Sequence, residues 1–270
     1  MSEIESKTRD ILAQGISQAF PQNPELLDNL DDLIQLLKGA RLSTNAKDRK
    51  IALDFLNEAE VDIKACETLY HKKIYSRAMF NLQQAVEKAA KGYVLGFGYM
   101  DLLEIYTHNT PILLLEASLE KTGIRNWAKQ ISDQRIGVKI DKAYDALRDK
   151  DTRQVISQIT YEEIKQFLTR IKDYGHTAID LQNWISQQLC DITGSEKKPV
   201  FIESLSDWTV LYGLAIITHT HEASSRYPNE AIVPSTSYTK KLGIVRATLD
   251  ITERLKTTIQ SMKGKINTTA

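Results

Sequence analysis

Apolar residues recur at intervals of three and four along almost the whole chain, and no run alternates with the period of two that a half-buried strand needs. Residues 75–95, YSRAMFNLQQAVEKAAKGYVL, show the pattern most clearly. Ala78, Leu82, Ala85, Val86, Ala89 and Tyr93 fall on one helical face. Four of the six are small (three Ala and a Val among them), so a neighbouring helix can approach closely. Only 12 Gly and 6 Pro punctuate the 270 residues. The fold class that follows is all-α, an antiparallel helical bundle.

The same reading divides the chain. Residues 1–45 are an N-terminal helical extension. A helix over 46–70 places Leu53, Leu56, Ala59, Ile63, Cys66 and Leu69 close to one face, and a short polar turn joins it to the helix of 75–95. Thr110 is the expected N-cap of the next helix, with Pro111 at its first position and Gly123 past its end. Residues 46–123 thus form the first part of the bundle. Residues 124–198 are helical but more polar. Thr160 and Glu163 have capping-box spacing, and Ile164, Leu168, Ile171, Ala178, Ile185, Leu189 and Ile192 suggest the seam of a long arm or hairpin. After the linker TGSEKKP, residues 199–270 supply the closing helices. One ends at Tyr227-Pro228, and the last is capped by Ser237 or Thr239.

Composition narrows the function classes. A balance of 35 basic and 35 acidic residues argues against a general polyanion binder, although Lys240, Lys241, Arg246, Arg254, Lys256, Lys263 and Lys265 outnumber the acids after residue 238. The ordinary reading of that excess is a solvated helix face. Two isolated cysteines make neither a disulfide framework nor a zinc site. The charged start has no secretory apolar core, and no window reaches the roughly 18 apolar residues of a membrane span, so a cytoplasmic protein is expected. His219 and His221 have no third ligand at useful spacing, and no phosphate-binding loop, dinucleotide fingerprint or zincin motif occurs. No metal and no cofactor are expected.

Several short motifs then point to one family. Ala59, Glu60, Asp62 and Ala65 match A-E-x-D-x-x-A. Tyr75-x-Arg77-Ala78 opens the next helix, and Gln83, Gln84, Ala85, Glu87, Lys88 and Lys91 match Q-Q-A-x-E-K-x-x-K. His108-Asn109 precedes the third helix, and Arg226-Tyr227-Pro228 forms a late loop. Over residues 50–118 and 207–260 the chain resembles the HEPN domain, with residues 124–198 as an insertion. The resemblance implies a bundle that is often dimeric and a role in nucleotide or RNA binding. It also implies toxin–antitoxin pairing with a small nucleotidyltransferase and, in many branches, metal-independent ribonuclease activity.

Candidate sites follow from the same resemblance. Arg170-x5-His176 is similar to the family's nuclease string, with Tyr174 as an assistant. A His there would move the 2′-hydroxyl proton and an Arg would stabilise charge on the phosphorane. Lys88, Lys91, His108 and Arg226 are candidate nucleotide- or phosphate-binding residues. Lys91, His108 and Arg226 each have a bland counterpart: Glu87 and Lys91 as an i,i+4 surface pair, His108 as local capping, and Arg226 as part of a helix stop. A non-catalytic helical adaptor for a protein partner is the third functional reading.

Overall fold

In the computed structural model, which describes residues 10, 13–14, 46–105, 108–119, 159–170, 200–228 and 233–268, the regular structure among those residues is entirely helical. The principal helices are α1 (Ala46–His71), α2 (Tyr75–Gly96), α3 (Thr110–Leu119), α4 (161–170), α5 (Val200–His219), α6 (Pro234–Ser237), α7 (Gly243–Arg246) and α8 (Thr248–Thr268).

The stripe of small residues seats α2 against α1. Ala78, Leu82, Ala85, Val86, Ala89 and Tyr93 are all buried, facing Ala52, Leu56, Ala59, Ile63 and Cys66 of α1. The approach is close enough that a Cβ on Gly92 would stand 2.8 Å from Leu56 Cδ2 and 3.0 Å from the Ala52 carbonyl. The turn between the two helices closes in a Schellman pattern, with Ile74 N–H donating to Leu69 O and Lys73 N–H to Tyr70 O, both at 2.9 Å. Lys73 takes the left-handed position, at φ 62°.

Cross-links fix the directions of the other long helices. Lys256 meets Glu67 at 2.6 Å and Lys263 meets Glu60 at 2.8 Å, so α8 runs antiparallel to α1. Tyr93 of α2 donates to Ser204 Oγ of α5 at 3.0 Å, while Arg226, beyond the end of α5, lies over Phe80 near the start of α2. α5 is therefore antiparallel to α2. Lys265 of α8 grips the buried Asp207 of α5 at 2.7 Å. Trp208 Nε1 donates to the Leu114 carbonyl and ties α3 to α5. α4 packs inward through Ile164 and Leu168, and its capping box is formed: Glu163 accepts from Thr160 N and Oγ1, and Glu163 N–H donates back to Thr160 Oγ1.

Three expected boundaries differ. Asn109, one residue before Thr110, caps α3, with its Oδ1 accepting the Ile112 N–H at 3.3 Å. α5 gives way after His219 to a series of tight turns, before Tyr227-Pro228 is reached. Neither Ser237 nor Thr239 caps the last long helix: α8 begins at Thr248, and Thr239 Oγ1 accepts from Lys241 N–H in a local turn. Gly123 and most of 124–198 lie outside the described residues.

Candidate functional site

Glu87 sits in the second half of the α2 polar run, on the face it shares with Phe80 and Lys91. Its carboxylate is 5% exposed, and burying a charge is costly unless it is paired and hydrogen-bonded. The surrounding sequence supplies the partners. Lys91, one turn on, donates to Oε1 at 2.8 Å, and His108, on the loop before α3, places Nδ1 3.0 Å from the same oxygen. Gln83 donates to Oε2 at 3.2 Å and Gln84 bonds to Gln83 at 2.6 Å. The ring of His108 is itself 76% exposed. A buried carboxylate thus holds one edge of a solvent-facing imidazole.

A second carboxylate faces this group from the turns after α5. Glu222 accepts from Arg226 at 2.7 Å and lies 3.5 Å from His219 Nδ1. Burial pushes its carboxyl above the usual range, and the Glu87 charge adds to that rise. Arg226 and His108 oppose it. Glu87, His108, Glu222 and Arg226 are therefore electrostatic neighbours, although 139 residues separate Glu87 from Arg226 along the chain. The Arg226 guanidinium covers the Phe80 ring at 5.0 Å. At the head of α3, the buried Thr110 hydroxyl has no hydrogen-bond partner among the described residues.

The structure brings together Lys91, His108 and Arg226 and sends Lys88 elsewhere, to Asp62 of α1 at 2.7 Å. Arg170 lies exposed at the end of α4. It borders a groove of about 340 Å³ lined by Glu163, Phe167, Ile216 and Ile217, among others. Its partners in the nuclease string, Tyr174 and His176, lie outside the described residues. His221 does not join His219 or Arg226. It is buried, bonds Tyr238 Oη at 3.0 Å, and is pushed by burial down to about 4. Among the described residues no three metal-binding side chains converge. Glu222 and Phe80 were not candidates from sequence. The Glu-x3-Arg spacing of Glu222 and Arg226 is the one signal that pointed to that pair.

A family model for the HEPN domain matches residues 52–175. The chain contains a HEPN domain. The match is continuous from α1 through α4 and ends five residues past Arg170, ahead of the Arg226 loop. At the level of the family, a HEPN domain carries a nucleotide- or RNA-related role. No curated protein and no solved structure gives a significant match. Among the described residues, no helix of this HEPN protein is long and apolar enough to cross a membrane.

Proposed function

We propose that this HEPN protein binds nucleotide or RNA, seating a phosphate beside His108, Lys91 and Arg226. The observation that supports this reading is the convergence of three separate chain segments on one polar cluster whose outermost member is an exposed imidazole. Lys91 and Arg226 are held by Glu87 and Glu222, so they lend directed N–H groups more than net charge. His108 is the accessible arm. The N-terminus of α3 favours an anion at the same place, and the Thr110 hydroxyl is a donor with no hydrogen-bond partner among the described residues. Lys88, locked to Asp62, is a structural cation in this reading.

Isothermal titration with AMP, ATP and a short oligoribonucleotide tests it. Saturable binding should weaken at least about tenfold, roughly 1.4 kcal/mol, in His108→Ala and in Arg226→Ala. Wild-type affinity in both variants, or no saturable binding, would overturn it.

A ribonuclease using Arg170, His176 and Tyr174 is the second reading, supported by the exposed position of Arg170 on an open groove. Metal-independent cleavage of RNA, lost in His176→Ala, is its expected outcome, and intact RNA after incubation would sink it. The partner side of the proposal rests on the family alone. A second copy of the chain and a small nucleotidyltransferase, as in toxin–antitoxin pairs, are the candidates. Light scattering tests the first and co-purification the second.

A further inference from the structure

One end of the bundle carries a surface that the proposed phosphate site does not use. There the α1–α2 turn, the loop before α7 and the start of α4 meet. Residues 70–77 and 238–246 contain no Asp or Glu. Lys240 places Nζ 5.8 Å from the Tyr70 ring, so the two acid-free stretches are neighbours. Tyr70 and Tyr75 pack edge to face at 5.4 Å. The Arg246 guanidinium lies 4.4 Å over the Tyr161 ring, and the backbone ahead of Tyr161 abuts Gly243. Lys72, Lys73, Lys240, Lys241 and Arg246 are all exposed.

The pairing of these cations distinguishes them from others in the bundle. Lys88, Lys91, Lys256, Lys263 and Lys265 each hold a carboxylate within 2.8 Å. Among the described residues, none of Lys72, Lys73, Lys240, Lys241 and Arg246 has a carboxylate at ion-pair distance. The bordering acids are largely engaged: Asp250 accepts from Tyr161 Oη at 3.3 Å, Glu163 is tied to Thr160, and Glu67 is tied to Lys256. Glu162 is exposed. Lys73 adds an independent sign. It occupies a left-handed position, φ 62°, where glycine would sit with less strain. The turn keeps a lysine there at a conformational cost.

We propose that this end of the bundle is a docking surface for single-stranded nucleic acid. Its phosphates meet Lys72, Lys73, Lys240 and Lys241, and its bases stack on the Tyr70–Tyr75 pair and the Arg246–Tyr161 stack. Interleaved cations and partly exposed rings suit a strand with π-faces and a repeating charge. An anionic membrane would use buried apolar anchors, and Ile74 is the one exposed large apolar side chain in the turn. The surface goes beyond the phosphate-site reading and shares no residue with it. Tyr75 lies about 18 Å along α2 from Glu87, at 1.5 Å per residue.

The test is fluorescence anisotropy of the full chain with a labelled oligouridine of about 20 nucleotides, across about 50–200 mM salt. Replacing Lys72, Lys73, Lys240 and Lys241 together by Gln should weaken binding at least about tenfold at the low-salt end. It should also reduce the log–log salt slope by about three, as four lost phosphate contacts require for a single strand. Lys50→Gln, at the far end of α1, should leave both unchanged. An equal loss with oligothymidine assigns the shared strand chemistry, and a loss with RNA alone assigns a 2′-hydroxyl contact; either supports the surface. Four results would overturn the proposal: no oligonucleotide binding by the wild type; wild-type affinity in the quadruple variant at unchanged melting temperature; loss only in His108→Ala and Arg226→Ala; or binding to phosphatidylserine vesicles in place of oligonucleotides.

Discussion

His221 shows what burial does to one side chain. Its folded-state value of about 4 lies below the roughly 6.5 of an unfolded histidine. The unfolded chain therefore takes up the proton first as pH falls. Stability is intact above about 6.5 and is lost as pH drops through about 4, by a total of about 3 kcal/mol. Urea unfolding across that window should show the loss in wild type and a flatter profile in His221→Gln. Lys73 works in the opposite direction: Lys73→Gly relieves the left-handed strain and should stabilise by about 1 kcal/mol, read as a higher urea midpoint. Neither property was legible in the sequence. His219 and His221 read only as a pair with no third ligand, and the fold shows that one ring bonds Tyr238 inside while the other lies beside Glu222.

At the level of the helices, periodicity carried most of the information, because burial on one face is what the spacing encodes. All six residues assigned to the α2 stripe are buried, and the Thr160–Glu163 box forms as read. Thr160→Ala should cost about 1 kcal/mol in thermal unfolding. Boundaries fared worse where several polar residues compete for the same N–H groups, as Asn109 and Thr110 do. The α1–α2 seam yields a sharper prediction. Gly92→Ala gains about 1 kcal/mol of helix propensity, yet its methyl group meets Leu56 and a backbone carbonyl. Overpacking of this kind costs about 1–3 kcal/mol, so denaturant unfolding should show net loss or at best no gain. The motif residues Asp62 and Lys88 turn out to join α1 to α2, and Glu60 joins α1 to α8. Sequence alone could not separate that interlocking duty from ligand contact, because both need polar residues on a helix shoulder.

For the molecule as a whole, the cluster around Glu87 was only half readable. Glu87, Lys91 and His108 stand close in sequence, but Glu222 and Arg226 arrive from the far side of the chain, and spacing says nothing about such meetings. The Asp207–Lys265 pair is another long-range join: burial pushes the Asp207 carboxyl up while Lys265 pulls it back. Lys265→Ala leaves that carboxylate without its lysine and should destabilise by about 3 kcal/mol. Lys265→Met combined with Asp207→Leu should recover much of that loss in a thermal melt.

The stitching of α8 to α1 also governs when this protein can fold. Lys256 reaches Glu67 across 189 residues, and Gln260 reaches Glu60 across 200. Contacts of such high order close late and slowly. During synthesis, α1 and α2 emerge with their apolar faces lacking α8, and the core cannot be completed until α8 has emerged as well. A nascent chain of this kind is a natural client for chaperones.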